Sequence, residues 1–503
     1  MTSNPRLLSA GELAARIRRK ELSPVEVAQA HLDRIERLNP KLNAFVDYQP
    51  EVVLAQARAA EKALLRTNNK DGLGPLHGVP LSIKSSIDVA GHRCEAGSRL
   101  RAGHVAAEDA PLVTRLRSAG AVILGVTNTP ELLMAWETDN LLYGRTNNPW
   151  DLARTAGGSS GGEAAAIAAG LSAGGVGSDG GGSIRVPAHF CGICGLKPTP
   201  GRIPSTGHFP KAGGPFAVIG VVGPMARTIE DVSTLFEVMA GYDDGDPVSA
   251  PVSTQYSVTS TQREQGRVNE NGELRTDNRQ LVTDNWVLGT GVGFFEDDTR
   301  TSVTEETREA VRSAALMLMT CGFHVDAFRP EGLEEARQLW WDFFGIAGGM
   351  LLEPMIREAM SQGRDISPIL REFRSWTQAT PPHTGDSLLA AWFGRDAIRE
   401  KILLQMRKFP VLICPVAAVP AFIHGEREWQ VEGQTVKYLD AWSYSEWFNL
   451  LGFPAAVVPM GYSETGLPIG VQIVGRPWED ELVLAVSSLL EKERGVFRAP
   501  QLP

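Results

Sequence analysis

"ARTAGGSSGGEAAAIAAG", residues 153–170, places Gly157-Gly158-Ser159-Ser160-Gly161-Gly162 directly before an alanine-rich run. A phosphate-binding loop would follow its last glycine with a lysine that reaches the phosphates. Here Glu163 follows Gly162, and a negative charge at a helix start repels an anion. A flexible linker fails as well, because Ala164 to Ala169 is strong helix-forming sequence. Neither reading fits, and the stretch becomes specific only when two others are set beside it.

Two other stretches bear on it. "LHGVPLSIKSSIDVAG", residues 76–91, sets Lys84 after the apolar run Val79 to Ile83, where a lysine either snorkels to solvent or has a task. "GVGSDGGGSIRVPAHFCGICGLKPTPGR", residues 175–202, sets Ser183 after three glycines. Around them helix and strand patterns alternate. Ser23-Pro24-Val25-Glu26 is a capping box with proline at the first helical position, followed by Val27, His31, Leu32, Ile35 and Leu38 at helical spacing until Asn39-Pro40. A second helix is expected at about 50–66, and a third from Leu112 to Ser118 breaks at Gly120 and runs into the strand Ala121 to Leu124. Helix, glycine, short apolar strand is the mark of an α/β fold. A central mixed, largely parallel β-sheet covered by helices on both faces is expected.

The 503 residues are 43% hydrophobic and 21% charged, an ordinary globular composition. A net charge of −10 gives no footprint for nucleic acid or an anionic membrane surface. The N-terminus lacks the apolar core of a secretion signal and no stretch is long enough to span a membrane, so a soluble, cytoplasmic protein is expected. Five cysteines are too scattered for a disulfide framework, and Cys191-Gly-Ile-Cys194 has no second CxxC beside it; the pair reads as reduced core cysteines. Nine histidines show no HExxH or paired spacing, so neither metal nor cofactor is expected. Leu288 to Gly293 has Phe294 where a dinucleotide fingerprint needs its third glycine, and reads as a glycine-punctuated core strand.

Residues 250–285 are rich in Ser, Thr, Gln, Asn and Arg and read as an exposed insertion. Structure is expected to resume at Trp286-Val287-Leu288, with a helix at about 304–320. The section 335–410 is helical and dense in aromatics, among them Trp340, Trp341, Phe343, Phe344, Trp376, Trp392 and Phe393. Each ring is ordinary packing material, while the cluster can also wall an apolar pocket.

Taken together, these motifs resemble the amidase signature family of serine hydrolases over nearly the whole chain, read as one domain, 1–503, with core motifs at 75–230 and 440–480. The matching pieces include the helix pair at 9–38, Gly78 through Lys84, Gly125 to Asn128, Gly157 to Gly162, Asp179 to Pro187, Gly195 to Thr199, Gly223-Pro224-Met225, Phe448 through Pro454, and "GLPIGVQIVGRP" at 466–477. The resemblance implies that Ser183 is the nucleophile, Ser159 a bridging serine after a cis peptide bond, and Lys84 the base. It also implies that Asp179 and Arg185 hold the nucleophile loop by charge-assisted hydrogen bonds. Ser160 is expected in the same cradle.

The chemistry accounts for these residue types. An amide is a poor electrophile with a poor leaving group, so a hydroxyl must be deprotonated, an oxyanion stabilised and the departing nitrogen protonated. A neutral Lys84 can take the Ser183 proton through Ser159 and return it to the amine. That requires the lysine pKa to fall well below about 10.4, which burial achieves, with Val79 to Ile83 as candidate walls. Gly180, Gly181 and Gly182 have no side chains to obstruct a carbonyl, so their amides and that of Ser183 can form the oxyanion hole.

Two positions depart from the family pattern: Ser85-Ser86 stand where an acidic residue commonly follows the lysine, and Gly180 stands where threonine or isoleucine is common. The GGSSGGE form and "FCGICGLKPT" look most like the fatty acid amide hydrolase branch. A small-molecule amide, anilide or carbamate with an apolar or aryl acyl group is the expected partner, urethanase-type activity included, with a homodimer left open. Met134, Trp136, Tyr143, His208, Phe209, Trp340, Trp341 and Phe344 are the candidate pocket residues. Two rival readings stand beside a stand-alone amidase. One is the glutaminase subunit of a tRNA-dependent amidotransferase, against which Val186 and Ile203-Pro204-Ser205-Thr206 depart from that branch; the other is a catalytically inactive binding module.

Overall fold

A computed structural model describes residues 5–66, 72–211, 213–251, 289–495 and 497–502. All but the first two residues of the polar stretch 250–285, and Trp286 to Leu288, lie outside the described residues.

Eleven strands form the central sheet. They are β1 Phe45–Tyr48, β2 Pro80–Lys84, β3 Val122–Thr127, β4 Gly174–Asp179, β5 Cys194–Lys197, β6 Val221–Ala226, β7 Gly291–Phe294, β8 His324–Ala327, β9 Val411–Pro415, and, after a separate hairpin of β10 Glu428–Val431 and β11 Gln434–Lys437, β12 Ala455–Tyr462 and β13 Pro468–Val474. Their order is β1-β3-β2-β4-β6-β5-β12-β13-β9-β7-β8. The sheet is mixed, as expected, but its parallel share is smaller: four pairings are parallel, β2 with β3 and β4 and β7 with β8 and β9, and six are antiparallel. The reason is local. β12 and β13 are joined by a turn too short for a crossover helix, and parallel neighbours need one.

Strand alternation divides the interior into two cores. Leu81, Ile83, Ile123, Val176, Ile413, Ala456 and Val471 point into one, with the helices Ala10–Arg18, Pro111–Ser118, Ile229–Met239, Glu305–Thr320 and Asp480–Arg494. Val122, Leu124, Leu412, Cys414, Ala455 and Val457 point into the other, with Pro24–Leu42, Gly161–Ala168, Arg185–Cys191 and Ser443–Leu450. Helices therefore cover both faces. Cys191 packs in one core and Cys194 in the other, and burial pushes both thiols up, so the CxxC pair is not a joint site.

The helix boundaries follow their caps. Ser23 Oγ accepts the N–H groups of Val25 and Glu26 while Glu26 reaches back to the Ser23 N–H. That helix runs through Pro40 to Leu42 and stops at Asn43, whose φ of +50° is left-handed. Asn39-Pro40 does not end it, because a proline in a last turn removes a single ladder bond. Among the described residues no helix is long and apolar enough to cross a membrane.

Candidate active site

β2 and β4 are parallel neighbours, and their carboxyl ends bring Lys84 and Asp179 to the same edge of the sheet. Alternation sends Leu81 and Ile83 into the opposite core, so Lys84 and Ser82 share the other face. The run Val79 to Ile83 thus buries Lys84 with its strand rather than with its side chains. On that face β4 offers Gly175 and Gly177 before its last residue, Asp179. A Cβ at Gly177 would stand 2.8 Å from Ser160 Oγ, and one at Gly175 would overlap Glu163, so the bare strand lets helix Gly161–Ala168 lie close against it.

This closeness sets Ser159 and Ser160 over the lysine. Lys84 Nζ is 2.7 Å from Ser159 Oγ, 3.0 Å from Ser160 Oγ, and 3.0 Å and 3.4 Å from the Ser178 hydroxyl and carbonyl oxygens. Burial lowers its pKa well below the usual lysine value, against the opposing pull of the Asp179 and Glu163 charges. Glu163 itself is buried and pushed up to about 7 by desolvation, while Ser82 and Thr127 donate to its two oxygens.

The Gly158–Ser159 peptide is cis, matching the implied geometry. Thr138 Oγ1 donates to Gly157 O at 2.9 Å and Thr129 Oγ1 to Ser159 O at 2.7 Å. Gly157 has φ +84°, and a Cβ there would come 2.8 Å from Pro187 Cα. The Ser160 N–H donates to Ser183 O at 3.1 Å, which ties this turn to the second glycine loop.

Asp179 organises that second loop. Its carboxylate accepts from the N–H groups of Gly182 at 2.7 Å and Ile184 at 3.0 Å, and from Arg185 Nε and Nη2 at 3.1 and 3.0 Å. Burial alone would raise it, but the Arg185 guanidinium and these amides hold its carboxyl well below the usual range. Arg185 also donates to Gln472 Oε1 and Asn449 Oδ1, and Asn449 Nδ2 donates to Asp179 O at 3.1 Å. Gln472 and Asn449 lie inside the family motifs but carry no role in the sequence reading; a glutamine inside the apolar strand "GVQIVG" is the signal that could have found the first.

Ser183 is 9% exposed and faces a cavity, and its Oγ makes no hydrogen bond among the described residues. The amides of Gly180, Gly181 and Ser183 are likewise without a partner there, whereas the Gly182 amide is committed to Asp179. Of the four expected oxyanion donors, Gly182 is therefore already spoken for.

The cavity is walled mainly by Leu132, Leu133, Met134, Phe216, Val221 and Phe344, with Ser159, Ser178, Ser183, Ser205 and His208 as its polar groups beside Asp179. Leu132 and Leu133 adopt φ of +53° and +67°, an uncommon left-handed turn for leucine. Of the eight candidate pocket residues, Met134, His208 and Phe344 line this space. His208 is neutral, its pKa lowered by burial to about 4, with Nδ1 against Pro210 O and Nε2 facing Ser86 Oγ. The other five lie elsewhere. Tyr143 donates its hydroxyl to Glu95, Phe209 lies under the Arg101 guanidinium, and Trp341 packs on Phe373. Trp136 and Trp340 are buried behind the glycine loop.

A family model described as Amidase matches residues 26–484. The chain belongs to the amidase signature family. Relatives include indoleacetamide hydrolase of Bradyrhizobium diazoefficiens, 32% identical over 97% of this chain and 87% of that protein, and an acylamidase of Rhodococcus erythropolis, 33% identical over 97% and 95%. A glutamyl-tRNA(Gln) amidotransferase subunit of Methylococcus capsulatus is 34% identical over 95% of both chains. A solved bacterial aryl acylamidase of the same family superposes with a TM-score of 0.80 at 26% identity, covering 97% of this chain and 96% of that one. As an amidase signature chain, the protein is a hydrolase of the amidase class, and its relatives at this identity include both stand-alone amidases and amidotransferase subunits.

Proposed function

We propose that this protein hydrolyses amide bonds through an acyl-enzyme on Ser183, with Ser159 and Lys84 as its proton relay, and that its substrates are apolar or aryl amides, anilides or carbamates. The observation that carries this reading is the 2.7 Å approach of a buried Lys84 Nζ to Ser159 Oγ beside the cavity that Ser183 faces. A neutral amine has two N–H groups and one lone pair. Ser160 Oγ and Ser178 Oγ, each 3.0 Å away, accept the first two, which leaves the lone pair for the Ser159 hydroxyl proton.

Ser183 Oγ attacks the carbonyl carbon while its proton passes to Ser159 and the Ser159 proton to Lys84. The Ser183–Ser159 hydrogen bond that this transfer needs is not formed in the resting arrangement, as is common for catalytic hydrogen bonds before substrate binds. The partnerless amides of Gly181 and Ser183 receive the oxyanion. Collapse expels the amine, which takes its proton back through Ser159, and water repeats the cycle on the ester.

The wall of leucine, methionine, valine and phenylalanine supports an apolar or aryl acyl group, and so do the acylamidase and indoleacetamide hydrolase relatives. A glutaminase would need a cation for glutamine's α-carboxylate. No lysine or arginine lines the cavity among the described residues, which favours the stand-alone amidase.

Release of p-nitroaniline or p-nitrophenol from short, long and aryl acyl anilides and an aryl carbamate, with Ser183→Ala alongside, tests the reading. Turnover of an aryl or apolar member that disappears in the variant supports it. Equal turnover by the variant would rule out Ser183 as nucleophile, and ammonia release from glutamine, assayed alongside, with no turnover of the panel would favour the amidotransferase reading.

A further inference from the structure

Two tryptophans hold the carbonyls of the loop Gly180-Gly181-Gly182. Trp340 Nε1 donates to Gly180 O at 2.8 Å, and Trp136 Nε1 donates to Gly181 O at 2.8 Å. Both side chains are buried, at 1% and 4% exposure, and they touch each other at 6.0 Å between ring centroids. Neither is left free to move. Trp340 stacks on Phe344 at 4.7 Å and 13°, while Trp136 stacks on Trp442 and receives the Tyr438 hydroxyl oxygen at its backbone N–H, 3.1 Å away.

The peptide unit makes these contacts informative. In a trans peptide the carbonyl and the N–H of one unit point in opposite directions. Gly180 O shares its unit with the Gly181 N–H, so an indole gripping that oxygen turns the partnerless Gly181 amide away from itself. Gly181 O shares its unit with the Gly182 N–H, which then meets Asp179 Oδ1 at 2.7 Å. The loop is glycine because the rings press on it: a Cβ at Gly181 would overlap Trp340, and one at Gly180 would stand 3.1 Å from Phe344.

We propose that Trp340 and Trp136 are positioning residues for oxyanion stabilisation: Trp340 aims the Gly181 amide, and Trp136 locks the adjoining peptide plane against Asp179. The inference rests on the serine-hydrolase reading above. It predicts that the indole N–H, rather than the ring's bulk, sets the rate.

The test compares Trp340→Phe and Trp136→Phe with the parent enzyme, using the best anilide of the panel and an aryl fluorophosphonate. In the second probe Ser183 Oγ forms a bond to phosphorus as fluoride leaves, the serine proton enters the relay, and the phosphoryl oxygen gathers charge where the oxyanion would lie; mass spectrometry locates the adduct. Removing one oxyanion donor costs about 10²–10³ in kcat, and a misdirected one less, so Trp340→Phe is expected to lower kcat about 10- to 100-fold with KM within about twofold. Labelling of Ser183 should slow in parallel in a variant that stays folded at the assay temperature, its melting temperature lowered by the orphaned Gly180 carbonyl and the lost ring volume. If Trp340→Phe does not fold, Trp136→Phe carries the same expectation with a smaller loss. A kcat and a labelling rate within twofold of the parent in a folded variant overturn the inference, as does a loss confined to KM. A parent that labels at Ser183 keeps the serine-hydrolase reading whatever the variants do; a parent that neither labels there nor turns over the panel brings down both.

Discussion

Lys84 Nζ meets Ser159 Oγ at 2.7 Å, and every other hydrogen-bond partner it has is also a serine oxygen. No carboxylate among the described residues touches the amine, so the ammonium form is poorly compensated inside the protein and burial lowers its pKa. The base is the deprotonated form. The expected kcat/KM therefore rises with pH along one limb whose midpoint lies below 10.5, the usual lysine value. Lys84→Met should lower the rate about 10²–10⁴-fold, the worth of a positioned general base, and abolish that limb. A pH–rate profile from pH 5 to 10 on both proteins measures this, and a flat profile under chemistry-limited turnover would count against a lysine base.

Glu163 opposes the burial of Lys84, because its charge favours the ammonium. Replacing it with glutamine removes the charge and keeps an acceptor oxygen for one of the Ser82 and Thr127 hydroxyls, while the other hydroxyl must turn to accept from the amide N–H. The lysine pKa should fall further, so the acid limb of the Glu163→Gln profile moves to lower pH. Stability gives a second readout. A carboxyl whose pKa is raised in the fold, here to about 7, contributes stability below its unfolded value and loses it as pH rises through about 7. The melting temperature of the variant should lack that decline between pH 4.5 and 7.

Asp179→Asn strips Arg185 of its buried counter-charge. Removing one partner of a buried ion pair costs about 3–5 kcal/mol, since the other charge is left uncompensated. Urea unfolding followed by fluorescence should show a loss of that order, along with loss of turnover as one of the Gly182 and Ile184 amides, which use different carboxylate oxygens, meets an NH2 group in place of its acceptor.

Gly180→Ala and Gly181→Ala should part ways. At Gly180 a methyl stands 3.1 Å from the far edge of the Phe344 ring, which can give by a few tenths of an ångström. At Gly181 it overlaps the buried Trp340 indole. Activity should survive the first within about fivefold and drop by at least about tenfold in the second, on the same anilide assay and as a loss of kcat.

Phe344→Ala enlarges the cavity beside Ser183. Preference measured as kcat/KM over a series of acyl chains should shift toward longer or bulkier members, each added methylene in an apolar pocket being worth about 1–3 kcal/mol of discrimination.

Much of the site is legible in the sequence because glycine runs and an isolated lysine in an apolar strand are rare. Lys84, Ser159, Ser160, Asp179, Ser183 and Arg185, all named from the motifs, lie together in the fold, Ser183 joined to the others through its carbonyl oxygen. What the residues 335–410 do is less legible, since aromatic density says nothing about which face each ring presents. Trp136 and Trp340 read as pocket walls in the sequence, yet they lie behind the loop, gripping carbonyls through their N–H groups. Only the fold removes the Gly182 amide from the oxyanion donors, by bringing the Asp179 carboxylate back onto it. Strand direction is hidden for a similar reason: short apolar strands look alike whether their neighbours run parallel or antiparallel.

The two sources of the cavity wall have a practical meaning. Lys84 stands on a central strand and Ser183 on the loop leaving its neighbour, whereas Leu132, Leu133, Phe216 and Phe344 come from segments outside the sheet. The groups proposed to react are anchored in the sheet, and most of the surface proposed to judge the acyl group is borrowed from outside it. Libraries confined to 132–134, 205–220 and 341–347 are therefore expected to retune substrate range as interchangeable parts, while the proposed proton wiring stays untouched.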